Sequence, residues 1–446
     1  MKPFLQSIAE AYAANESAEA LSKMIFIFPN KRSATFFNHY LAGVAARKGP
    51  DGESRPLIHP DTVSIVQFAE MFAQGAAQAD RLEMVFMLYD VYREVVRRHN
   101  GESDAARVDF NKFVFWADTL IQDFDDVDNA LADPAEVFRN VSTLKEISAN
   151  YLTQEQADEI RRYWRDFDLQ PDEMRFWNHL TDAGQAEAPG GKDHTSVSAG
   201  FLRLWQVMGE VYTSFRAMLR KKGLYTSGMN FRDAAAALAK VSAGDIPYSR
   251  YIFVGFNNLS VAESTIFKRL SALTDPETGL PMADFYWDTA SQAFAYRDIP
   301  GIERVRRYAE TFPSLYRCIE PLTEFPKIYL VGVPSRIGQC KAIGHALGRL
   351  FPPEEEHEGL ADPAMLRRTA LVLPDEQLLT PLVNSLPAAI SPVNLTMGYK
   401  LRNTSVASLM RAIVSLQLRA YRSRNAAATF SSTTSPVCSP IRWCAP

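Results

Sequence analysis

Short apolar runs punctuate the chain at residues 24–28 (MIFIF), 251–255 (YIFVG), 283–287 (ADFYW), 328–333 (IYLVGV) and 369–373 (TALVL). They are apolar at successive positions instead of alternating, which is the pattern of strands buried on both faces of a parallel sheet. Most are followed within a few residues by a helical pattern. That order predicts a βα-repeating sheet with helices on both faces. An amphipathic helix over about residues 3–14 precedes the first run.

Between about residues 80 and 240 the pattern changes to long helices without strand candidates. From Leu82 to Val96 the apolar positions Leu82, Val85, Phe86, Tyr89, Tyr92 and Val96 recur at steps of three and four, opposite Arg81, Asp90, Arg93, Glu94 and Arg97. Comparable helices are predicted over 111–124, 153–167 and 201–221, that at 153–167 opened by the capping-box-like TQEQ. This block lies between two strand-bearing regions and reads as an insertion. Breaks are predicted at 49–60, 183–198 and 352–363, and no internal repeat is present.

The balance of 48 Lys and Arg against 52 Asp and Glu gives a formal charge of -4, so no chain-wide basic field exists and any nucleic-acid footprint must be local. Four cysteines, none spaced as CxxC, provide neither a disulfide framework nor a zinc or redox pair. No stretch of about 18 uncharged apolar residues occurs, and the amino terminus does not read as a signal peptide. A cytoplasmic protein without membrane contact is the expectation.

Candidate chemistry is sparse. Gly190-Gly191-Lys192-Asp193 lacks the first glycine and the hydroxyl of a phosphate loop and follows no strand. Asp118 and the run Asp123-Phe124-Asp125-Asp126-Val127-Asp128 form the densest carboxylate cluster. With no suitably placed lysine, it reads as a solvated acidic helix end and not as a nuclease metal site. Asp375 and Glu376 follow Pro374, but no acid follows Glu376, as a PD-(D/E)XK site would require. Seven histidines show no pair at i, i+4, so zinc hydrolysis has no support, and no metal or cofactor is expected.

The best anion site is Pro29-Asn30-Lys31-Arg32-Ser33. There a strand runs into a helix, Asn30 or Ser33 can cap it, and two cations flank its free amides. The plain alternative is a solvated turn. Lys400, Arg402, Arg411, Arg419, Arg422, Arg424 and Arg442 lie in a stretch with no acid. Residues 425–446, without apolar period, read as a disordered or frame-shifted tail of a truncated chain.

Several segments carry a resemblance: FIFPNKRSATFFNHYL, FNKFVFWADTLIQDFDDVDNAL, FLRLWQVMGEVYTSFRAMLRKKGLYTSGMNFRDAA, YIFVGFNNLSVAESTIFKRL, ADFYWDT and VNLTMGYKLRNTSVASLM. In this order, over about residues 20–420, the chain resembles the N-terminal, helicase-like half of AddB-type proteins of the PD-(D/E)XK nuclease family. The resemblance implies an α/β fold with a superfamily 1 helicase-like parallel sheet, akin to P-loop NTPases with decayed motifs, and a large all-helical insertion. The implied divisions are a sheet domain over 1–80 and 241–335, the insertion over 81–240, and the start of a second sheet domain over 336–424.

It further implies a non-catalytic DNA-binding and scaffolding role in double-strand-break repair, beside a helicase-nuclease partner subunit. YIFVGFNNLSVAE matches the helicase strand that carries a magnesium-holding Asp, and Val254 stands at that position, unable to hold the metal. Glu263 remains but has no nucleotide to act on. The candidate DNA contacts are Lys31, Arg32 and Ser33, with Asn257, Asn258, Arg402 and Arg411 beside them. No catalytic residue is assigned. Two alternatives stay open: an exonuclease whose nuclease domain is missing here, and a protein-interaction scaffold without DNA contact.

Overall fold

A computed structural model describes residues 2–45, 59–72, 77–102, 108–138, 194–290, 299–321, 327–354, 359–391, 393–396, 398 and 400–422. The chain divides into two compact units, Met1–Phe325 and Pro326–Pro446. The expected helix at 153–167, the GGKD loop and the tail lie outside the described residues.

The first unit opens with α1 (Phe4–Asn15), α2 (Ala18–Ser22), β1 (Met24–Phe28), α3 (Lys31–Ala45), β2 (Asp61–Ser64) and α4 (Ile65–Glu70). After β3 (Ala77–Gln78) come α5 (Arg81–Asn100), α6 (Phe110–Asn129), α7 (His194–Lys221), β4 (Leu224–Tyr225) and α8 (Ser227–Leu238). It closes with β5 (Arg250–Val254), α9 (Val261–Ser271), β6 (Ala283–Tyr286) and α10 (Pro300–Thr311). The main sheet has the order β2-β1-β5-β6 and is parallel throughout, as its apolar runs predict. Every residue of β1 and β5 is buried.

The two faces of the sheet have separate cores. Phe26, Phe28, Ile252, Val254 and Tyr286 face Tyr12 of α1 and Phe37 and Leu41 of α3. Ile25, Ile27, Tyr251, Phe253 and Phe285 face Phe68 of α4, Ala234 of α8 and Ile266 and Phe267 of α9. A third core joins α5, α6 and α7 around Leu88, Phe113, Phe124, Tyr212 and Phe215. Asp80 and Asp109 cap α5 and α6 by accepting from Leu82 and Asn111 amides at 2.9 Å, which fixes where both helices start. A Cβ at Gly228 would lie 2.6 Å from the Asp125 carbonyl oxygen, so glycine is what lets α8 approach α6.

Four expectations are corrected. The stretch 81–240 is not all helical, because β4 within it pairs in parallel with β3, Ala77 opposite Leu224 and Gln78 opposite Tyr225. The acidic run is not a solvated helix end. Asp128 is 1% exposed and binds Tyr212, Arg216 and Arg232, while Asp125 accepts from the Thr226 hydroxyl and from the Gly228 amide at 2.9 Å. Helix α7 begins at His194, inside the break expected at 183–198. Residues 328–333 and 369–373, expected as strands, pair with no strand among the described residues and have no strand geometry.

The second unit holds α11 (Arg336–Leu350), α12 (Pro363–Arg367), α13 (Leu379–Val383) and α14 (Ser405–Arg422). Its buried core is small, centred on Leu347, Phe351 and Ala361. Among the described residues of the chain, no helix is long and apolar enough to cross a membrane.

Candidate functional site

The connections of the main sheet reverse direction between β1 and β5. From β1 the chain passes through α3, on the Tyr12 face, to β2 on one side. From β5 it passes through α9, on the opposite face, to β6 on the other side. With right-handed crossovers, this arrangement leaves a crevice outside the carboxyl ends of β1 and β5, the place where open α/β sheets bind ligands. The two strands are in register, Ile27 opposite Phe253, and neighbouring strands stand about 4.8 Å apart. Their exits therefore share one edge.

From β1, the chain leaves through Pro29 and Asn30 and enters α3 at Lys31. The Asn30 side chain accepts from the Ser33 amide at 3.0 Å and from the Ser33 hydroxyl at 3.2 Å. Asn30 is thus the cap, and Ser33 is held by it. Lys31 and Arg32 are exposed in the first turn, where the amide dipoles favour an anion.

From β5, Gly255 turns the chain at φ 77°, in the left-handed region that favours glycine. Its amide still donates to the Tyr286 carbonyl at 2.9 Å, so the turn begins where the ladder ends. Asn257 and Asn258 follow, both exposed. The Asn258 side-chain oxygen accepts from the Arg304 guanidinium at 2.8 Å, which brings the first turns of α10 to this edge. Arg304 is a third exposed cation here, and the sequence reading missed it. Its position depends on a contact 46 residues away in sequence, which no local pattern signals.

The residues singled out for chemistry near this edge are engaged in the fold. Val254 is fully buried in the core against α3, and its methyl groups offer no metal ligand. Glu263 is engaged in the capping box of α9, accepting from the Ser260 amide at 2.7 Å while the Ser260 hydroxyl accepts from the Glu263 amide at 3.1 Å. The nearest buried acid in the sheet is Asp284, which accepts from Tyr12, Tyr286 and the amides of Phe285 and Leu315 at 2.5 to 2.9 Å. Burial pushes its carboxyl above the ordinary range against the pull of these donors. With four partners it ties α1 and the 314–316 segment to β6, a structural role. Among the described residues no group of three or more Asp, Glu, His or Cys is arranged to hold a metal ion.

Arg402 and Arg411 lie in the second unit. Arg402 sits in the short turn Leu401–Asn403, and its carbonyl accepts from Arg411 at 3.1 Å. It lines a cavity of about 680 Å³ together with Arg336, Asp375, Glu376 and Lys400. There the acids neutralise two of the cations, Arg336 to Asp375 at 2.9 Å and Lys400 to Glu376 at 2.6 Å, which makes the cavity a poor phosphate site. The chain matches no known protein family, and no curated protein matches it.

Proposed function

We propose that the chain is a catalytically inactive, helicase-like module that binds single-stranded DNA at the carboxyl edge of its parallel sheet. The reading rests on one observation: the switch point gathers Lys31, Arg32, Asn257, Asn258 and Arg304, exposed residues from three separate segments, at a single edge. Cations and a capped helix start suit backbone phosphates, and asparagine amides can donate to phosphate or base edges. The resemblance to AddB-type proteins extends this to a role in double-strand-break processing beside a helicase-nuclease partner. In that setting the sheet keeps a helicase's binding edge after its hydrolytic groups are lost.

Two measurements test the reading. The Lys31→Ala, Arg32→Ala double variant should lower the salt slope for single-stranded DNA by about 1.4, from about 0.7 per phosphate contact. Its stability should change by no more than about 0.5 kcal/mol per substitution, since both side chains are exposed. Equal slopes for variant and parent would reduce the site to a solvated turn. Separately, ATP with magnesium should stabilise the chain by less than about 1 kcal/mol, because Val254 offers no ligand to the metal. A larger thermal shift would overturn the assignment of an inactive nucleotide site.

A further inference from the structure

Helix α3 presents a cationic and aromatic face to solvent. Ala34, Phe37 and Leu41 are buried, and the Asn38 side chain donates to the Thr62 hydroxyl at 2.9 Å, which turns that side of the helix toward β2. The exposed face carries Lys31, Arg32, Thr35, Phe36 and His39. Phe36 is 42% exposed, and among the described residues no other ring stacks on it. It stands one turn beyond Arg32, and side chains four apart on a helix have Cβ atoms about 5–6 Å from each other. Two turns further on the same face, a Cβ at Gly43 would meet nothing within 4 Å. Helix α3 contains no Asp or Glu to repel a phosphate.

We infer that this face seats one unpaired nucleotide of single-stranded DNA, its phosphate at Arg32 and its base stacked on the Phe36 ring, so that Phe36 selects single strands over duplex. This rests on the DNA reading of the sheet edge, to which it adds a base contact. Phosphate contacts alone do not separate a single strand from a duplex, since both present the same group. A ring does, because only an unpaired base leaves its own stack to offer a face. The surroundings of Phe36 decide against a protein partner. The buried centre of a protein interface is apolar and depleted of charge, whereas Phe36 is a single apolar side chain among Arg32, Thr35 and His39. An aromatic ring set beside cations on a helix without acids is the combination that single-strand grooves use.

The test measures binding of the full chain to a labelled oligothymidine, an abasic strand of the same length and a duplex, by fluorescence anisotropy across a salt series. Phe36→Ala should weaken oligothymidine binding by about 5- to 150-fold, the effect of losing one stacked base. Its salt slope should stay that of the parent, because no phosphate contact is lost. On the abasic strand and the duplex the variant and the parent should bind alike, and Phe36→Trp, which keeps an aromatic face, should hold the parent's affinity for oligothymidine. Equal oligothymidine affinity for Phe36→Ala and the parent, with the slope still falling in Lys31→Ala, Arg32→Ala, would overturn the stacking role and leave the DNA edge standing. An unchanged slope in that double variant would remove the edge and the stacked base with it. A loss of equal size on the abasic strand would also overturn the role, since the ring would then act without a base. Self-association of the parent that Phe36→Ala abolishes, with DNA affinity unchanged, would overturn it in favour of a protein contact.

Discussion

Asp128→Ala is expected to lower the stability of the helical part of the first unit by about 3–5 kcal/mol, the range for removing one partner of a buried ion pair. The side chain of Asp128 is 2% exposed and meets two guanidiniums, those of Arg216 and Arg232, whose side chains are 13% and 21% exposed. The Tyr212 hydroxyl also donates to it at 2.7 Å. Burial pushes the Asp128 carboxyl up while these three partners pull it down, and burial with the Asp128 contact pushes the Tyr212 hydroxyl up to about 12. Alanine leaves two positive charges and a hydroxyl in the interior without their common acceptor. With a urea dependence of about 2 kcal/mol per molar, the unfolding midpoint should fall by about 1.5–2.5 M. Asp126→Ala, on the exposed side of the same turn, should stay within about 0.5 kcal/mol of the parent. If the two variants unfold alike, the acidic run is the solvated helix end that its composition predicts.

That contrast shows which information the sequence carries locally. The run MIFIF stops at Pro29-Asn30, and both the strand and the helix start that follows are written within ten residues, so β1 and the Lys31-Arg32 pair are legible. Asp128 looks like its solvated neighbours because its partners Tyr212 and Arg216 stand 84 and 88 residues away. Strand β2 was missed for a related reason. Three of the four residues of its sequence DTVS are polar and it lies at the sheet edge, where a strand needs little apolar surface. Residues 328–333 show the converse. Their side chains have every feature of a buried strand, but a strand is defined by the neighbour that pairs with it, and the run itself cannot supply one.

The same logic explains the composition of the proposed DNA edge. Its members come from α3, the turn after β5 and α10, and only the parallel register of β1 with β5 and the Asn258–Arg304 contact bring them together. Asn258 differs from Asn257 in this respect. Its oxygen is occupied by Arg304, so its role is to position that guanidinium, whereas the Asn257 amide faces solvent.

Reversing all three cations, Lys31→Glu with Arg32→Glu and Arg304→Glu, is expected to remove most single-stranded DNA binding by the first unit. If each contributes one phosphate contact, the salt slope falls by about 2.1, and the parent should lose about 20-fold more affinity than the variant between 50 and 200 mM salt. At low salt the deficit is larger still, because three carboxylates now face the phosphates across a site that previously attracted them. The substitutions are all at exposed positions, so circular dichroism and the unfolding midpoint should stay near those of the parent. Arg304→Glu alone separates a continuous track from a local pair. On a continuous track it lowers the slope by about 0.7 in both the parent and the Lys31→Glu, Arg32→Glu background. A loss seen only when Lys31 and Arg32 are intact would mean that one phosphate group bridges all three cations, and no loss in either background would remove α10 from the interface.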